Sequence, residues 1–191
     1  MAKKVKEPIA VIAPKQVIIG NPNAKISLIL FGDYESEACA QAHQAVVELL
    51  EKHGNEIRFT YRHFPLTKIH QHAFKAAEAA VAAAQEGRFW EMHCLLFQNR
   101  KNLGTISLKS YAREAGVMNK DFLNHLINST YGWEVRTDSV EGLHMGVDHV
   151  PQFFINGKKF DGKPSYVALS RAIIRTEKEI IESDHQDKQA A

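Results

Sequence analysis

Cysteine is scarce in this sequence: Cys39 and Cys94 are its only two. Two thiols cannot build the dense disulfide framework of small secreted domains, and in a reducing compartment both are expected to be free. Long apolar runs are absent as well. None approaches the roughly 20 residues needed to cross a bilayer, so no membrane span is expected. Neither sign of charge dominates. The 24 Lys and Arg stand against 22 Asp and Glu, a formal net charge of +2. Apart from Lys3, Lys4 and Lys6 the basic residues are scattered, with no arginine-rich or basic-aromatic stretch, which argues against a nucleic acid partner. The opening MAKKVKEPIAVIAPKQ has a charged start, but its apolar piece is short and broken by Pro8 and Pro14. It does not read as a signal peptide, and the chain is expected in the cytoplasm.

What is present is organised around residues 26–44, ISLILFGDYESEACAQAHQ. An apolar run over 26–31 predicts a strand buried on both faces. A Gly-Asp turn follows, and then a helix beginning near Ser36 that carries Cys39 in its first turn. Unpaired N–H groups and the positive end of the macrodipole favour negative charge at such a position, which is how a helix N-terminus lowers the pKa of a thiol. A dithiol redox site needs Cys-x-x-Cys. Here the stretch reads Ser36-Glu37-Ala38-Cys39, with a hydroxyl where the first thiol belongs.

The remaining pattern divides the chain. Residues 1–15 read as a flexible arm. Residues 16–65 hold a short edge strand at 16–19, the strand and helix just described, and a second strand over 57–64. This strand–helix–strand unit requires its two long strands to be parallel. Residues 66–147 read as a helical insertion, with helices over 69–86, 89–98, 107–115, 120–127 and 133–145, Ser107 and Asn119 being candidate N-caps. Residues 148–182 return to strand over 153–155, turn at Asn156-Gly157, pair back over 158–160 and end in a helix from 166. Residues 183–191 read as a polar, frayed tail.

A set of short stretches carries a resemblance. Phe31-Gly32-Asp33-Tyr34-Glu35, Arg62-His63-Phe64-Pro65-Leu66, His70 with Ala73, Phe89-Trp90-Glu91-Met92-His93 and Val150-Pro151-Gln152-Phe153-Phe154-Ile155-Asn156-Gly157 occur in this order over most of the chain. Together they resemble the DsbA family of thiol:disulfide oxidoreductases. The resemblance implies an α/β architecture, a thioredoxin fold with an inserted helical domain. It implies disulfide exchange by a nucleophilic cysteine at position 36 and a resolving cysteine at 39. It also implies a cis bond before Pro151, beside which an extended substrate pairs with the backbone.

The sequence departs from that family where the chemistry lies. Ser36 cannot form a disulfide and is a poor nucleophile without an adjacent base. Glu37 and Ala38 also depart. Dithiol exchange is therefore expected to be lost or altered, with Ser36 and Cys39 as the catalytic positions and Val150 and Pro151 as the substrate-binding ones. Ser36 has two readings: a helix N-cap, or a hydroxyl donating to a bound thiolate such as glutathione. Cys39 is either an inert buried thiol or the thiol of a monothiol reaction. A third reading is a non-catalytic peptide-binding or chaperone-like module. Cys94 reads as a small core or boundary residue, and a Cys39–Cys94 bridge would require Cα atoms within about 7 Å. His63, His70, His72 and His93 are not read as a zinc site, since His70 and His72 would face different sides of a helix. No metal and no cofactor is expected. A peptide or a small thiol is the expected partner.

Overall fold

The computed structural model describes residues 11–189. In chain order the elements are a 3-10 turn Pro14–Gln16, β1 Ile19–Gly20, β2 Ile26–Gly32, α1 Glu37–His53, β3 Ile57–His63, α2 Ala73–Ala84, α3 Phe89–Gln98, α4 Thr105–Glu114, α5 Phe122–Ile127, α6 Gly132–His144, β4 Gln152–Ile155, β5 Lys158–Phe160 and α7 Tyr166–Gln189.

The strands form one five-stranded sheet among the described residues, in the order β1-β3-β2-β4-β5. β2 and β3 run parallel, from Ile26 opposite Ile57 to Gly32 opposite His63. The other pairings are antiparallel. β2 is thus central, which is why its residues are apolar almost throughout. The β4–β5 hairpin closes through Asn156 and Gly157, both at positive φ, as a two-residue turn of matching twist requires. This is the expected α/β arrangement, a thioredoxin core carrying a helical block between its two halves.

α1 lays Cys39, Ala42, Val46 and Leu49 on the sheet at helical spacing. α2 is buried nearly all round, its alanines letting neighbouring helices approach closely. α6 is fixed to β3 by a buried ion network. Arg62 Nε donates to Asp138 Oδ1 at 2.6 Å, Arg62 donates to Glu141 at 2.7 Å, and the His63 amide donates to Asp138 Oδ2 at 2.8 Å. No helix among the described residues is long and apolar enough to cross a membrane.

Several sequence expectations are corrected. Of the arm, residues 1–10 lie outside the described residues. Residues 11–15 are held: Ile12 exchanges two backbone hydrogen bonds with the Gln85 side chain, and Pro14 is buried. The helix expected over 69–86 begins only at Ala73. α4 begins at Thr105 behind Gly104, so Ser107 is inside the helix and its hydroxyl donates to Asn102. Asn119 lies two residues before the cap position of α5, which is Asp121, and its side chain accepts from the Asp121 amide. The tail expected to fray over 183–191 is helical through Gln189.

Candidate functional site

The turn from β2 into α1 is built on Asp33. This carboxylate is buried at 1% exposure and accepts from three places at once. The Glu35 amide reaches Oδ1 at 2.7 Å, and the Leu66 amide and His70 Nδ1 reach Oδ2 at 2.7 and 2.9 Å. Glu35 in turn accepts from the His72 amide at 2.7 Å. The segment after β3 is therefore tied to the turn before α1. His70 and His72 sit in that segment, ahead of α2 rather than on it.

Ser36 is the N-cap of α1. Its backbone is extended (φ −71°, ψ 125°), and its Oγ accepts from the Cys39 amide at 3.3 Å. Arg100 pairs with Glu37 in the first turn. Cys39 has no exposed surface, and its Sγ accepts from the Asp33 amide at 3.4 Å. That bond and the Ser36 side chain favour the thiolate, but burial outweighs both and pushes the thiol up to about 11. The dipole benefit expected at a helix start is thus overridden at this depth. Both cysteines are free. Cys94 is half-buried on α3 and borders a separate cleft with Val47 and Leu50. Burial, aided by Glu91, raises its pKa also.

The Val150–Pro151 peptide bond is cis. Val150 and Pro151 line a groove of about 550 Å³ with Ala38, Gln41, Phe160 and Pro164. The structure thus brings Val150 and Pro151, the pair expected to bind substrate, against α1 one residue short of Cys39, whereas neither Ser36 nor Cys39 lines the groove.

Behind the turn lies a set of residues that sequence reasoning assigned no role. Half-buried His43 Nδ1 lies 3.2 Å from His93 Nε2, and His93 Nδ1 lies 2.9 Å from the Tyr34 hydroxyl. His63 and His93 are buried in the aromatic cluster of Tyr34, Tyr61, Phe89 and Phe97. Burial holds His43 down at about 4 and His63 at about 3. His43 and His93 lie 50 positions apart, so only tertiary packing joins them and no local spacing could have signalled it.

The fold is shared with known oxidoreductases. BdbD from Bacillus subtilis in its oxidised form superposes with a TM-score of 0.76 at 19% identity, over 85% of this chain and 91% of that one. A thioredoxin-like oxidoreductase from Silicibacter pomeroyi gives 0.74 at 23% identity, over 85% and 92%. MdbA, a thiol-disulfide oxidoreductase from Corynebacterium diphtheriae, gives 0.69 at 18%, over 87% and 96%. In sequence, the chain is 38% identical over 155 residues to the Na(+)/H(+) antiporter NhaA 1 of Salinispora arenicola, covering 81% of this chain and 24% of the antiporter. It is 31% identical over 159 residues to the NhaA antiporter of Nitrosospira multiformis, covering 82% and 25%. The chain spans about a quarter of the length of these relatives. A family model described as Thioredoxin matches residues 13–175. With that match spanning the sheet, the helical block and the cis-proline turn, the chain belongs to the thioredoxin family and has the fold of its DsbA-like members.

Proposed function

We propose that this protein is a DsbA-like binding module without dithiol-disulfide exchange, holding an extended peptide segment in the groove beside Pro151. The observation that carries this reading is the state of the S-x-x-C stretch. The Ser36 hydroxyl is occupied as an N-cap, and Cys39 has no exposed surface. An oxidant needs a solvent-facing thiolate to start a mixed disulfide, and neither position offers one. The groove is independent of that loss, because its lining contains neither residue. Its size falls within the range of about 300–1,000 Å³ typical of ligand sites. A glutathione-dependent or monothiol reaction at Ser36 and Cys39 is the weaker reading, because it needs the thiol that burial closes off.

Two measurements on the full chain test the proposal. In insulin reduction with dithiothreitol, the protein should add nothing to the uncatalysed rate. In fluorescence anisotropy, a labelled extended peptide should bind saturably, and Pro151→Ala should weaken it. Accelerated insulin reduction would overturn the loss of exchange. No saturable peptide binding, or binding that Pro151→Ala leaves unchanged, would overturn the groove as the site.

A further inference from the structure

Away from the cis-proline, the C-terminal end of α4 and the loop into α5 line a further, half-open cavity of about 480 Å³. Its charged lining residues are Lys109, Arg113 and Lys120, and no carboxylate lines it. None of the three side chains has a hydrogen bond or ion pair to another described residue. Glu114 and Asp121 follow two of them directly in the chain, yet neither neutralises them. The α4 dipole accounts for a cation at Arg113, in the last turn. It accounts for neither Lys109, a turn further back, nor Lys120, on the loop.

The floor is apolar and closed: Val117 and Phe122 are 6% and 4% exposed. Met118, at 82% exposure, holds a large apolar side chain at the rim. The loop is preformed. Glu86 on the far side accepts from the Met118 and Asn119 amides at 2.8 and 3.1 Å, and Gly116, at φ +86°, turns the chain out of α4. Held main chain, an apolar floor and three unneutralised cations define a site with one charge preference.

We propose that this cavity binds a small organic anion with an apolar body, an aryl or branched-chain carboxylate or phosphate monoester. Its charged end is held by Lys109, Arg113 and Lys120, and its apolar end packs on Val117, Met118 and Phe122. Arg113 supplies the planar fork suited to bidentate recognition of either anion.

The test uses the full chain and 1-anilinonaphthalene-8-sulfonate, an anionic aromatic probe, with N-phenyl-1-naphthylamine as its uncharged counterpart. The anionic probe should bind saturably at one site, more tightly at about 50 mM than at about 300 mM salt. In 1H–15N spectra the shifts should centre on residues 109–122. Binding should weaken by about tenfold or more in K109Q/R113Q/K120Q. These side chains are exposed, so the fold should survive, which circular dichroism checks. Met118→Glu, which places a carboxylate at the rim, provides an independent variant and should weaken the probe likewise. Displacement by benzoate or by phenyl phosphate supports the site and says which anion it prefers. Equal affinity for the uncharged probe, undiminished binding in both variants, or shifts centred elsewhere overturns it. Stronger displacement by a hexaglutamate peptide than by either small anion overturns it in favour of a protein partner.

Discussion

The Cys39 amide donates to the Ser36 hydroxyl across 3.3 Å, so Ser36 caps the helix whose first turn carries Cys39. On the proposed reading, a thiol placed at position 36 is expected to give the chain dithiol chemistry. Ser36→Cys should form a disulfide with Cys39 under oxidising conditions and accelerate insulin reduction above the unmodified protein, in a Cys94→Ser background. Ser36→Ala should lower stability by about 1 kcal/mol through the lost cap and leave peptide binding intact. Insulin turbidity and urea unfolding check both. A Ser36→Cys protein that forms no disulfide would mean that the turn no longer presents position 36 to Cys39.

Cys39 should behave as a thiol that ionises late. Its pKa is about 11 in the folded chain against a reference of 9.0. The folded value is raised, so the stability associated with Cys39 is complete below about pH 9 and declines as pH rises toward 11, where the unfolded chain has already released its proton. That difference corresponds to stability on the order of 2–3 kcal/mol. Urea midpoints between pH 8 and pH 10.5 should fall, and Cys39→Ala should flatten that fall. Native alkylation of Cys39 near neutral pH should be slow. Rapid labelling by iodoacetamide would contradict its burial.

Much of the core was legible in local pattern. The apolar run of β2, the Ser36 cap and the Asn156-Gly157 turn each encode their structure within a few residues. The start of α2 was not. Alanine-rich sequence from position 69 suggests helix, but Asp33 and Glu35 draw the Leu66 amide, His70 and the His72 amide into a turn, and those partners are 33 to 37 positions away. α7 misled in the opposite direction. Its last turns are polar and carry no periodic apolar signal, and the helix nonetheless continues through Gln189. Within the site, positions 36, 39, 150 and 151 were named from the sequence. The burial that decides what Cys39 can do is a tertiary property and was not.

Arg62 and Asp138 are 4% and 2% exposed and join β3 to α6 at 2.6 Å. Removing one partner strands the other charge in the interior, so Arg62→Met should destabilise by roughly 3–5 kcal/mol. Adding Asp138→Asn, which removes the stranded charge and keeps an acceptor for the His63 amide, should recover part of that loss. Chemical denaturation of the single and double variants forms the cycle. Recovery smaller than about 0.5 kcal/mol would show that the two residues act independently.

Gly142 lets α6 approach the sheet. A Cβ there would meet Phe64 at 2.9 Å and Phe31 at 3.1 Å, both ring atoms in packed positions. In an exposed helix Gly→Ala gains about 1 kcal/mol from propensity. Here overpacking, typically 1–3 kcal/mol, should reverse the sign. Gly142→Ala should lower the unfolding midpoint, and a midpoint above that of the unmodified protein would show that the rings yield freely.

Acid should unfold this protein through its buried histidines. His63 has no partner for either ring nitrogen among the described residues, and burial, with Arg62 beside it, lowers its pKa from 6.5 to about 3. His43 is lowered to about 4, and His93 falls well below its ordinary range, in each case chiefly by burial. Folded values below the unfolded one mean that the unfolded chain binds more protons in the interval. The histidine contribution is therefore complete above about pH 6.5 and declines as pH falls toward 3, each fully buried ring contributing about 1.4 kcal/mol per pH unit within its own interval. It outnumbers the opposite contribution of Asp138, whose carboxyl burial raises to about 6. Urea midpoints at pH 7.5, 6.0 and 5.0 should decrease in that order, while His63→Phe, an aromatic of similar shape with no proton to accept, should show a shallower decrease. The same slope in His63→Phe as in the unmodified chain would assign the acid sensitivity to other groups and leave His63 without a part in it.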